Sequence, residues 1–195
     1  MFSSSKWCAF AAPLALLAMA CSEPVPPASQ GAFTLSFVQT SSTPGAQCRV
    51  KGHQAQVGGA TAKSVTDLKK DTIGGAVIFC SVTTAGAGFE ADGAIDLEGR
   101  HLEFVAKGIT AAATKDNPFV GTVSYSSLET AGPYQSPECK FWLQPYTENG
   151  NTSVREEIAG GRIWVDFACP SINNASANSV CGISTGTIAM QNCLQ

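Results

Sequence analysis

Alternation of apolar and polar side chains at a period of two constrains this chain most. Phe33, Leu35 and Phe37 alternate with Thr34, Ser36 and Val38, and Phe89, Ala91, Gly93, Ile95 and Leu97 alternate with Glu90, Asp92, Ala94, Asp96 and Glu98. Successive side chains of an extended chain point to opposite faces, so each run makes a strand with one buried and one wet face. Gly93 offers a place for its strand to bend. Glu98-Gly99-Arg100 is a turn signal, from which Leu102, Phe104 and Ala106 return as the next strand. The run Ala76 to Val82 is continuously apolar and reads as a central strand buried on both faces. Further strands are expected at Phe119–Ser126, after the breaker Asp116-Asn117-Pro118, and at Glu138–Gln144, Arg162–Cys169 and Thr185–Gln191. A polar loop through Asn149-Gly150-Asn151 joins the second and third of these. Helical periodicity is nearly absent; Thr61–Lys70 is the one plausible helix, and a short one. The fold class is therefore all-β, a β-sandwich or flattened barrel of about eight mostly antiparallel strands.

Cysteines add staples to that frame. The chain has eight, of which Cys48, Cys80, Cys139, Cys169, Cys181 and Cys193 fall among the strands. An even set suits full disulfide pairing in an oxidising compartment. Pairing Cys169 with Cys181, Cys139 with Cys193 and Cys48 with Cys80 is one of fifteen possible connectivities, and spacing alone selects none. In that arrangement the polar segment between Cys169 and Cys181, expected to be irregular, would be closed into a loop that holds Ile172 and Val180 near the sheet. Zinc binding is not expected, because no C-x-x-C occurs and neither histidine lies near a cysteine.

Ahead of the strands stand a charged start at Lys6, an apolar run from Trp7 to Leu17, and Ala18-Met19-Ala20. Cys21 follows, and then the proline-rich stretch Ser22–Gln30. The apolar run is shorter than the ~20 residues that span a bilayer, and it has the length of a secretory core with an A-x-A site. This order resembles the signal of bacterial lipoproteins, in which a lipid is attached to the cysteine and the chain is cut just before it. That pattern usually has Leu three residues before the cysteine; here Ala18 stands there, with Leu16 and Leu17 further back. The resemblance implies a signal peptide over 1–20, a lipidated Cys21 heading a flexible tether over 21–30, and a single β domain over 31–195. Cysteine parity agrees: with Cys8 gone and Cys21 lipidated, an even set remains. A plain secreted or periplasmic protein and an uncleaved anchor are the alternatives. Ser22, where an Asp favours inner-membrane retention in enteric bacteria, implies the outer membrane.

Charge and motifs exclude several functions. Twelve basic against 15 acidic side chains give a net charge of −3, and Lys69-Lys70 is the nearest thing to a basic block, so nucleic acid is not an expected partner. Gly182-Ile183-Ser184-Thr185-Gly186 fits the G-x-S-x-G pattern, but no histidine or acid follows it to complete a triad. His53 and His101 are the only histidines; His101 shares a strand face with Glu103. The acidic row Glu90, Asp92, Asp96 and Glu98 does not have the spacing of a calcium loop. No catalytic residue, metal or cofactor is expected.

One constellation points to binding. Trp142 has the parity of Lys140 and Gln144, and Trp164 that of Arg162 and Asp166. Tyr146 would join them if the strand passes Pro145. In an antiparallel hairpin the two indoles would lie opposite or diagonal on one face. Such a cluster could be a platform for a sugar ring or a protein contact; otherwise the rings cover each other, or another segment packs over them. The expected function is a lipid-anchored, non-catalytic envelope β-domain acting through binding or structural contacts. A carbohydrate- or protein-binding module using the aromatic face comes second, and an enzyme third.

Overall fold

A computed structural model describes residues 27–40, 47–58, 76–143, 146–148, 151–153 and 157–195. Positions 1–26, with the signal and Cys21, lie outside the described residues, as does the expected helix at Thr61–Lys70. The described strands are β1 (Gln30–Gln39), β2 (Gln54–Val57), β3 (Val77–Ala85), β4 (Gly88–Leu97), β5 (Arg100–Ile109), β6 (Phe119–Ser126), β7 (Tyr134–Trp142), β8 (Tyr146–Glu148), β9 (Asn151–Ser153), β10 (Glu157–Ala159), β11 (Arg162–Asn174) and β12 (Ser179–Gln191). They form one ten-stranded antiparallel sheet in the order β2-β1-β12-β11-β7-β6-β5-β4-β3, with β10 pairing on β11, and a two-stranded β8-β9 ribbon. The fold is all-β, as the alternation requires.

Inward-facing rows from every wall meet in one core. Phe33, Leu35 and Phe37 of β1 share it with Ile95 of β4, Phe104 of β5, Tyr125 of β6, Phe141 of β7, Phe167 of β11 and Ile188 of β12. The sheet curls until its two halves touch. A Cβ on Gly93 would lie 2.6 Å from the Met190 sulfur, so this glycine admits a side chain from β12 across the core. It does not bend its strand, since pairing runs unbroken through Gly93 on both sides. The irregularity in β4 falls instead between Phe89 and Glu90. The β4–β5 hairpin turns at Glu98 and Gly99, with φ of 52° and 76°, the left-handed pair of a type I′ turn.

Three further expectations need correction. The apolar run at 76–82 is the edge strand β3, not a central one, and its outward Val77 and Phe79 are 69% and 51% exposed. The segment between Cys169 and Cys181 is regular: β11 and β12 continue through it, pairing Ile172 with Cys181 and Asn173 with Val180. Buried Asn174 shapes the turn, its Oδ1 accepting from the Ala177 N–H at 3.0 Å and its Nδ2 donating to the Thr130 carbonyl at 3.3 Å. The disulfides join Cys48 to Cys181, Cys80 to Cys193 and Cys139 to Cys169. All six cysteines are bonded, and the connectivity is another of the fifteen than the one given as an example above. Extended chain between Cys169 and Cys181 carries each to a different neighbour.

Each bridge does a separate job. Cys139–Cys169 links adjacent strands next to the Lys140–Ala168 pair. Cys80–Cys193 ties the β3 edge to the residues after β12. There the Leu194 N–H donates to the Cys80 carbonyl at 3.0 Å, and the Val82 N–H to the Leu194 carbonyl at 2.8 Å. The Gly161 N–H adds a bond to the Val82 carbonyl at 3.0 Å. These bonds cover part of an edge that would otherwise present open backbone groups. Cys48–Cys181 fastens the stretch before β2 beside an aromatic plug, in which Phe37 meets Tyr134, Tyr125 and His53 at centroid distances of 5.1, 5.7 and 5.8 Å.

Close approach makes Gly121 irreplaceable. A Cβ there would overlap the Val105 carbonyl oxygen and crowd the Phe141 ring. We expect Gly121→Ala to push β5 and β6 apart and to destabilise by about 1–3 kcal/mol, the ordinary range for overpacking. Denaturant titration checks this; an unchanged midpoint would mean the strands separate without cost.

Candidate binding face

Trp142 and Trp164 sit where parity placed them, on the outer face with Lys140, Arg162 and Asp166. Pairing sets Trp142 opposite Asp166 and Phe141 opposite Phe167, so the two indoles are diagonal neighbours. Of the two alternatives, an exposed platform is not formed: Trp142 and Trp164 are only 6% and 2% exposed. Trp164 packs with Ala32 and Ala189 in a small cluster of its own outside the main core, two methyl-sized neighbours leaving room for a large ring. Against Trp142 lies the β5–β6 connection: the Leu143 N–H donates to the Ala113 carbonyl at 3.2 Å, and the Lys115 ammonium stands 5.8 Å from the indole centroid. The Trp142 indole N–H is buried without a hydrogen-bond partner.

The polar members of the constellation are likewise engaged or marginal. Asp166 is buried and accepts a 2.7 Å hydrogen bond from the Thr187 hydroxyl. Arg162 pairs with Glu157 at 3.0 Å at the rim, and Lys140 is exposed. Tyr146 belongs to the separate β8-β9 ribbon, so it does not continue the Trp142 row.

A different outer surface is open. The ladders place Glu103 opposite Ser124, Ser124 opposite Gln135 and Gln135 opposite Asn173. One polar row thus crosses β5, β6, β7 and β11, about 14 Å long at ~4.8 Å per strand. A groove of about 360 Å³ follows it along Glu103, Thr122, Ser124, Gln135 and Pro137. A second, of about 350 Å³, continues past Gln135 and Pro137 to Asn173 and Ser176. Pro137 and Pro170 explain the shape of this region. Neither has an N–H to give, and no ladder pairs are formed between Ala168–Lys140 and Asn173–Gln135. The β6–β7 register also shifts between Gly121 and Val123. Sequence reasoning missed this row, although a proline inside a strand signals a bulge or edge.

Other candidates are dispersed. His101 Nδ1 is 3.4 Å from Asp96 Oδ2, its cross-strand partner. Ser184 is exposed on β12 rather than on a strand-to-helix turn. Among the described residues, no three His, Cys, Asp or Glu side chains converge as a metal site. His53 Nε2 lies 3.1 Å from the Tyr125 hydroxyl. Burial, above all, raises the Tyr125 phenol, and a Ser127 hydrogen bond is the chief influence lowering the nearby Glu129 carboxyl. In the same plug the Tyr134 hydroxyl donates to Ser179 Oγ at 2.8 Å, and Ser179 donates to the Gln47 carbonyl at 3.3 Å. These hydrogen bonds tie β6, β7 and β12 to the stretch before β2. No family model, characterised protein or solved structure matches the chain.

Proposed function

We propose that this is an exported β-domain held at the bacterial envelope by acyl chains on Cys21, working without catalysis through contacts on its outer face. One observation carries the reading: the six cysteines from Cys48 to Cys193 are consumed by three bridges among themselves. Cys21 has no partner left in that set. It heads a proline-rich tether whose last residues lead into β1. Three disulfides suit an oxidising, non-cytoplasmic compartment; Ser22 favours the outer membrane.

The polar row is the surface we assign to the contacts. Amides and hydroxyls that both donate and accept, with Glu103 the one carboxylate among its four members, match the hydroxyls of an envelope glycan. A protein partner is the weaker fit, because protein interfaces draw their energy from buried aromatic and arginine anchors, which this row lacks.

Anchoring is tested by fractionation. Cys21→Ala should move the protein from the membrane pellet to the soluble exported fraction and abolish incorporation of a labelled fatty acid. Equal membrane retention of wild type and variant would sink the proposal.

A further inference from the structure

Among the described residues, large exposed apolar side chains are few, and three of them collect at one edge. Val77 and Phe79 project outward from β3, and Leu194 is 63% exposed. A parallel bridge pairs Leu194 with Ser81. Because side chains alternate, Leu194 falls on the face of Val77, Phe79 and Ser81, while Cys80 and Cys193 turn inward as a disulfide. The result is an apolar rim running along the sheet edge.

The tether arrives at this same edge. Ser29 Oγ donates to the Asn192 carbonyl at 3.1 Å, and Asn192 Nδ2 donates to the Ala28 carbonyl at 3.1 Å. Two residues beyond Asn192 is Leu194. Inside the wall, a Cβ on Gly31 would stand 3.3 Å from Ile78, the residue between Val77 and Phe79. From Cys21 to Gln30 an extended chain spans at most about 30 Å at ~3.3 Å per residue, and fixing Ala28 and Ser29 to Asn192 shortens the free part further.

From this we infer that Val77, Phe79 and Leu194 form a membrane-facing rim that dips into the lipid interface when Cys21 is anchored. The inference rests on the anchoring reading for its setting, and names the lipid surface as the occupant of this edge. Apolar side chains gain on leaving water wherever they go; the tether brings a bilayer within reach of these three. The three described members of the rim, Val77, Phe79 and Leu194, are uncharged, so the contact we infer is with the acyl boundary and does not need anionic headgroups.

The test supplies the anchor chemically, so that it is independent of lipidation in the cell. Unlipidated exported chain, with Cys21 as its free thiol, is coupled to maleimide-bearing lipid in phosphatidylcholine vesicles. The vesicles are prepared with and without dibrominated acyl chains. Phe79→Trp and, separately, Leu194→Trp report on the rim; Val120→Trp, on an exposed outward position of β6, reports away from it. We expect brominated lipid to quench the added emission at least twofold at 79 and 194 and to leave 120 unchanged. No quenching at either rim position, or equal quenching at all three, overturns the inference. Failure of the wild-type chain to acquire fatty acid in cells counts against anchoring alone.

Discussion

Loss of both long-range staples, Cys48–Cys181 and Cys80–Cys193, is expected to leave a chain that does not hold its fold at 37 °C. These bridges span 133 and 113 residues, and in the chain-entropy account a loop near 100 residues contributes about 4.7 kcal/mol. Their spans overlap, so the second bridge adds less than the first. Singly, serine replacement of either pair should cost about 2–4 kcal/mol, the usual measured range. The Cys80–Cys193 pair should be the more damaging, because it also holds the hydrogen bonds between β3 and Leu194. Cys139–Cys169 spans only 30 residues between strands already paired, and its loss should be mildest. Peptide mapping without reduction should recover these three linkages, and thermal melts of the serine variants should give this order. A melt in which the short bridge matters most would overturn it.

The second large effect is expected at Trp164. Truncating a fully buried aromatic side chain costs about 3–5 kcal/mol, and for a domain of this size each kcal/mol lowers the melting temperature by roughly 2–4 °C. Trp164→Ala should therefore melt at least ~6 °C lower. In the folded domain both indoles should emit blue-shifted light and resist acrylamide. A red-shifted, readily quenched spectrum with an unchanged melting point would place the rings in water and restore the aromatic platform as a binding surface.

That contrast shows what was legible in the sequence. Parity put Trp142 and Trp164 on the outer face correctly, because alternation follows from the backbone alone. Burial on that face depends on what packs over it, and no period in the strand's own sequence records that. The apolar run at 76–82 failed in the opposite direction. A run of apolar residues shows that both faces tolerate such side chains, but whether a strand is central depends on its neighbours. Here β1 pairs with β12 and leaves β3 outermost. Disulfide connectivity follows from the same long-range pairing. The turn at Glu98-Gly99, the strand at Phe119–Ser126 and the inward rows of β1, β4 and β5 were all readable, since each is settled by local chemistry. The polar row across β5, β6, β7 and β11 was not, because its members come together only through three separate ladders.

The neighbouring of β1 and β12 also sets an order of events. β1 cannot receive its longer ladder, with β12, until residues 179–191 are present, and Cys48 and Cys80 wait for Cys181 and Cys193. During folding, the β3–β7 meander can form by local hairpins while the first strand has only its short ladder with β2, leaving one side of β1 open. Sequence-distant pairing of this kind slows folding and prolongs exposure of sticky edges. The domain is therefore built to close late, once the last strand is present to pair with the first and to bring the two long bridges together.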